Sequence, residues 1–159
     1  MKHKIIRIGT RGSQLALYQA YRVKEEIEKN YPLQPVELKI IKTKGDKILD
    51  VALSKIGDKG LFTKELEVEL INGNIDIAVH SLKDLPTVFP EGLALGGVLE
   101  RGEFRDALVH MDGKKLHELD DNDIIATSSL RRKALLLSHN PELKIVDIRC
   151  NVNTLLQKM

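Results

Sequence analysis

Two spacings of apolar residues alternate along the chain. Residues 4–10 form a short β-type run, and Arg11, Gly12 and Ser13 turn out of it. Ser13 is placed to cap a helix running to about residue 31, because Ala16, Ala20, Val23 and Ile27 follow at intervals of four, three and four and make one apolar stripe. On its solvent side Glu25 and Lys29 predict an i,i+4 ion pair. Pro32 and Pro35 end that helix before a second strand at 36–42. Residues 43–61 are rich in glycine and lysine without a sustained period, and are expected to be a long, mobile surface loop. A helix at 63–71 stops at Asn72, Gly73 and Asn74, which suit a left-handed C-terminal cap, and a third strand follows at 75–79. Beyond it the pattern predicts strands at 93–99, 106–110, 124–127 and 144–149, a helix at 129–139 and a last helix from Asn151.

Strands alternating with helices imply an α/β fold with a largely parallel sheet in each of two lobes. The expected division is a first domain at 1–99, a hinge at 100–105 around Gly102, and a second, partial domain at 106–159. A chain of 159 residues is long enough for one domain or two small ones. Composition narrows the class. Hydrophobic residues make up 42% and charged residues 30%, which excludes a disordered chain, and no apolar run reaches the roughly 20 residues of a membrane span. The N-terminus lacks the roughly 7–15-residue apolar core of a secretory signal, so a cytoplasmic protein is expected. A net charge of +2 with three Phe, three Tyr and no Trp argues against nucleic acid as a partner. One cysteine excludes a disulfide framework, and the five histidines have no metal-ligand spacing, so no metal is expected.

Ligands of open α/β sheets bind beyond the carboxyl ends of the strands. Four junctions fall at such ends: Thr10 to Ser13, His80 to Asp84, Thr127 to Arg132, and Arg149 to Asn151. They bring Arg11, Lys83, Arg131, Arg132 and Arg149 to equivalent edges, together with Ser13, Ser81, Thr127, Ser128 and Ser129. Guanidinium groups match carboxylate and phosphate through paired hydrogen bonds, so this pattern suits a multiply charged anion, although any one junction alone is equally an ordinary helix start. Asp84 is the one acid in the set. It is either a carboxylate that stabilises positive charge or moves a proton at a nitrogen, or a simple surface partner of Lys83. Cys150 is either a thiol activated beside Arg149 or an inert buried cysteine.

The runs at 8–17 (IGTRGSQLAL), 57–67 (GDKGLFTKELE), 76–86 (DIAVHSLKDLP) and 127–132 (TSSLRR) resemble the porphobilinogen deaminase (hydroxymethylbilane synthase) family, in order and with its spacing. The resemblance implies a transferase of tetrapyrrole and haem biosynthesis that joins four porphobilinogen molecules head to tail, losing ammonia at each step. It implies a periplasmic-binding-protein-like two-lobe fold and a dipyrromethane cofactor held in the cleft. It implies Asp84 as the catalytic aspartate, assisting deamination and stabilising the cationic azafulvene and pyrrole nitrogens. Arg11, Ser13, Lys83, Arg131, Arg132 and Arg149 are implied binders of ligand carboxylates, with Ser81, Thr127, Ser128 and Ser129 as hydrogen-bonding partners. Lys55, Lys59 and Phe62 are implied members of a loop that covers the cleft.

Three departures from the family pattern accompany the resemblance. Members are longer, and the resemblance places the cysteine that holds the cofactor in a third domain, which this chain is expected to lack; Cys150 stands where the family has glycine and is not expected to be that cysteine. A side chain at that position is expected to crowd the ligand. Leu155 stands where the family has an arginine, a charged hydrogen bond worth about 1.5–3 kcal/mol. The expectation is therefore a fragment with a nearly complete first lobe and a truncated second lobe, inactive alone. Its alternatives are a non-catalytic polycarboxylate-binding module or one half of a split enzyme. The family is usually monomeric, whereas an unpaired sheet edge would invite association of a fragment.

Overall fold

The computed structural model describes residues 4–47, 60–148 and 152–157. These residues form two compact units, one holding the described residues up to Glu100 and the other those from Arg101 onward.

The first unit is built on β1 (Ile6–Thr10), whose last three residues are buried. Ser13 has extended backbone and its hydroxyl accepts the Ala16 N–H, which starts α1 (Gln14–Asn30) as the sequence predicts. Ala16 and Ala20 are buried, and Val23 and Ile27 pack beside Ile8, Ala20 and Val36 in the core, so the four-three-four stripe is the buried face. On the outer face Glu25 pairs with Arg22 instead of Lys29, and Lys24 reaches Glu28. Arg22 also reaches Glu26, so one guanidinium gathers two carboxylates one turn away.

The chain then enters β2 (Val36–Ile40), which pairs parallel to β1 with Ile8 opposite Leu38. β3 (Ile77–Ala78) lies on the other side of β1, also parallel, giving the order β2-β1-β3. Backbone bonds from Asp76 N–H to Arg7 C=O and from Val79 N–H to Gly9 C=O carry this pairing past the two-residue strand. The Arg7 guanidinium clasps the Asp76 carboxylate at 2.8 and 2.9 Å, and its backbone N–H adds a third bond, which fixes the register of β3 on β1. These bonds hold the Asp76 carboxyl far below the usual carboxylate range.

Part of the expected surface loop is packed structure instead. Residues Lys44–Lys47 form the single turn α2, Thr43 and Leu61 are buried, and Gly45 N–H bonds the Leu61 carbonyl at 2.8 Å. Glycine and lysine hide the pattern because the buried side chains, Thr43 and Leu61, stand at the two ends of the run. α3 (Lys64–Ile71) ends as predicted: Gly73 has a φ of +66°, Asn74 N–H reaches the Glu69 carbonyl and Gly73 N–H the Leu70 carbonyl. That reciprocal pair satisfies carbonyls left open by the helix end, and glycine takes the left-handed conformation without a Cβ clash.

The second unit holds β4 (Ile124–Ala126) and β5 (Lys144–Val146), parallel with Ile125 opposite Ile145, and α4 (Leu130–His139) between them in sequence. α5 (Val152–Gln157) follows. The predicted strands at 93–99 and 106–110 are irregular. A strand exists only as one side of a ladder, and neither segment pairs with a strand among the described residues; Leu95, Val98, Leu99, Leu108 and Val109 stay exposed. The connection before β4 is ordered by charge: Lys114 binds Asp123 at 2.8 Å and Asp120 at 3.3 Å. His110 accepts the Asp112 N–H at Nδ1 and turns Nε2 toward Asp123.

Candidate functional site

Because β1 and β3 are adjacent and parallel, the Arg11–Ser13 turn and the Ser81–Asp84 turn leave the same carboxyl-end edge of one sheet. The second turn is a 3₁₀ turn, Leu82–Asp84, closed by Asp84 N–H on the Ser81 carbonyl at 2.9 Å. Asp84 is partly buried, Lys83 is exposed, and the two make no ion pair with each other. Among the described residues Lys83 has no hydrogen-bond or ion-pair partner.

Arg11 is heavily engaged. Its Nη2 lies 2.6 Å and its Nε 3.1 Å from Asp46 Oδ1, and its Cζ sits 4.0 Å from the centroid of the Phe62 ring. Burial raises the Asp46 carboxyl, but hydrogen bonds from Arg11 and Thr43 outweigh it and leave the group below its usual range. Glu65 on α3 accepts the Lys44 N–H at 2.8 Å and ties α2 to the same cluster.

Ser81 exchanges hydrogen bonds with the Gln19 amide, at 2.9 and 3.1 Å, so α1 sets the orientation of that hydroxyl. His80, next to it, has its imidazole pushed below the usual range by burial; the charges of Asp84 and Glu67 oppose the shift and that of Arg11 adds to it. Asp84, Glu67 and Arg11 thus all act on His80 at one end of the sheet.

In the second unit the Thr127–Arg132 turn leaves the carboxyl end of β4. Thr127 is buried and its hydroxyl accepts the Ser129 N–H. Ser128 donates to the Ile148 carbonyl at 2.6 Å and accepts the Ile148 N–H at 2.9 Å, which links the ends of β4 and β5. Ser129 caps α4 by accepting the Arg132 N–H. Arg131 and Arg132 both bind Asp106, at 2.9 and 2.8 Å, and their hydrogen bonds, Arg132 first, lower its carboxyl. Arg149, Cys150, Lys55 and Lys59 lie outside the described residues.

The nominated hydroxyls therefore bond to the scaffold, Ser13 and Ser129 as caps, Ser128 as a link between strand ends, Thr127 within its turn and Ser81 to Gln19, and three of the nominated arginines carry an internal aspartate. Sequence inspection missed Asp46, Asp106 and Gln19. An aspartate about 35 residues beyond an arginine carries no local signal; only the fold joins them.

Both parallel sheets carry arginine, lysine or hydroxyl groups at the carboxyl ends of their strands, the place where open α/β sheets bind ligands. Residues 6–159 match the family described as "Porphobilinogen deaminase, dipyromethane cofactor binding domain". A porphobilinogen deaminase of Syntrophomonas wolfei is 57% identical over 97% of this chain and 50% of its own length. Those of Desulforamulus reducens and Synechococcus elongatus are 54% and 55% identical over 100% and 97% of this chain, and over 51% and 49% of their own lengths. The chain belongs to the porphobilinogen deaminase family. It spans about half the length of the curated relatives it matches.

Proposed function

We propose that this chain supplies the cofactor- and substrate-binding part of a hydroxymethylbilane synthase, the transferase that condenses porphobilinogen with loss of ammonia. The observation that carries this is the shared sheet edge: Arg11, Lys83 and Asp84 leave adjacent parallel strands at the same end. Porphobilinogen bears an acetate and a propionate, and each joined unit adds two more carboxylates, so the ligand is a polyanion matched by cationic donors. Relatives named porphobilinogen deaminase support the activity. We further infer two periplasmic-binding-protein-like lobes, divided at a hinge near residues 100–105, in a cytoplasmic monomer.

The donor set fits a dipyrromethane through its carboxylates. In the first unit Arg11 and Lys83, with Ser13 and Ser81 adding hydrogen bonds, would hold such carboxylates, and in the second unit Arg131 and Arg132, with Thr127–Ser129, offer donors of the same chemistry. When bound, the group supplies the pyrrole carbon to which each incoming unit is joined. Asp84 holds the pyrrole N–H of the reacting ring and stabilises positive charge at that nitrogen as the aminomethyl C–N bond breaks and ammonia leaves. The Asp84 carboxylate would also be available to accept the proton displaced from carbon when two units are joined.

The test is the intact mass of the protein before and after incubation with porphobilinogen. Increments of whole pyrrole units support a covalent deaminase. Saturable binding with no change in mass would leave the chain a polycarboxylate-binding part without covalent chemistry of its own, and absence of binding would overturn the proposal.

A further inference from the structure

The Arg11 guanidinium is held on two sides. Asp46 lies along its Nε/Nη2 edge and Phe62 covers one face. Asp46 is itself anchored: its Oδ2 accepts the Thr43 N–H at 3.1 Å and the Thr43 hydroxyl at 2.8 Å, and Thr43 is fully buried. The carboxylate is therefore fixed to the backbone at the start of α2, so it orients the arginine and not the reverse. A guanidinium carries five N–H donors. The end formed by Nη1 and the outer Nη2–H makes no hydrogen bond among the described residues. That end is a second two-donor seat of the geometry a carboxylate takes.

We propose that Asp46 is a positioning residue: by clamping one edge of Arg11 it presents the opposite end to a carboxylate of the pyrrole ligand. This rests on Arg11 as a ligand-binding group, as proposed above. A long, flexible side chain loses rotamer freedom when it binds, and here Asp46 and Phe62 have already removed that freedom. The rival possibility is that Asp46 is a competing counterion which the ligand must displace, and it predicts the opposite sign.

The experiment uses the full chain and a porphobilinogen analogue lacking the aminomethyl nitrogen, which keeps both carboxylates and cannot react. Binding is followed by calorimetry and the Arg11 Nε–H by ¹H–¹⁵N spectroscopy. Asp46→Asn is expected to weaken binding about tenfold, the scale of one charged hydrogen bond. The Arg11 Nε–H signal should broaden and exchange faster with solvent. In an Arg11→Gln background Asp46→Asn should have no further effect, which a general structural role would not produce. Thr43→Val removes the hydroxyl anchor while keeping both charges, and should weaken binding in the same direction by a smaller factor; it decides the matter if Asp46→Asn does not fold. Equal or tighter binding by the folded Asp46→Asn chain, or unchanged binding by Thr43→Val, overturns the positioning role. If Arg11→Gln itself leaves binding unchanged, the anion-binding role of Arg11 fails first and the proposal falls with it.

Discussion

Gly45 and Phe62 share one space. A Cβ on Gly45 would collide with the Phe62 ring, and that ring is the surface on which the Arg11 guanidinium rests. A glycine in a one-turn helix is unfavourable in itself, so its place here is explained by what it lets in. Gly45→Ala should push the ring off Arg11 and destabilise the first unit by about 1–3 kcal/mol, the usual cost of overpacking. Urea unfolding measures the loss; an unchanged midpoint would show that the ring has room to move.

Asp84→Asn keeps the size of the side chain and removes its charge. In a complete deaminase it should cut turnover by about a hundredfold or more, as loss of a charge-stabilising group does, while binding of the unreactive analogue stays within a factor of two or three. Near-normal turnover would take Asp84 out of the chemistry.

Asp106 differs from Asp46 in a way that reverses the expected sign. No backbone or side-chain donor other than Arg131 and Arg132 holds it among the described residues, and it is solvent-exposed. It behaves as a counterion, so Asp106→Asn should leave the unfolding midpoint nearly unchanged and tighten citrate binding at low salt. Weaker citrate binding would mean that Asp106 too orients its arginines.

His80 sets a pH dependence in the first unit. Its folded pKa lies below the ordinary value, so as the pH falls through the unfolded value of about 6.5 the unfolded chain takes up the proton first and stability declines. The decline ends once the folded imidazole also protonates. The lowered carboxylates Asp46 and Asp76 lose their contribution in a separate, more acidic window, below about pH 4. Urea midpoints between about pH 7.5 and pH 5 should slope for the native chain and flatten for His80→Asn. An identical slope in both would assign the effect elsewhere.

Ser13 allows scaffold and ligand roles to be separated. Ser13→Ala removes the α1 cap and should cost about 1 kcal/mol. Ser13→Asp keeps a cap and places a negative charge at the sheet edge, so thermal stability should hold while carboxylate binding weakens. Equal loss of stability in both variants would contradict the capping role.

What could be foreseen from the residues was what is local. The α1 stripe, its Ser13 cap, the Gly73 stop and the strands around Ile8, Leu38, Ile77 and Ile125 each rest on spacings within one element, and the structure has them. The segments at 93–99 and 106–110 are irregular because apolar spacing reports a preference, whereas a strand requires a neighbour. The packed turn at 44–47 was hidden for the converse reason: its stability comes from Arg11, Leu61 and Glu65, all distant in sequence. At the candidate site, the cationic groups at the strand ends could be named in advance, but the aspartates that hold them could not.

The central place of β1 has a consequence for how the chain folds as it is made. Of the three strands of this sheet, the one made before the other two is the one with a partner on each edge. Ile8 pairs with Leu38, 30 residues later, and with Ile77, 69 residues later. At a synthesis rate of about 5–20 residues per second, β1 waits seconds for its second neighbour, and the Arg7–Asp76 clasp cannot close before then. Through that interval the nascent chain carries an apolar strand with an open edge, and the arrival of β3 both covers that edge and brings the Ser81–Asp84 turn to the same end of the sheet as Arg11.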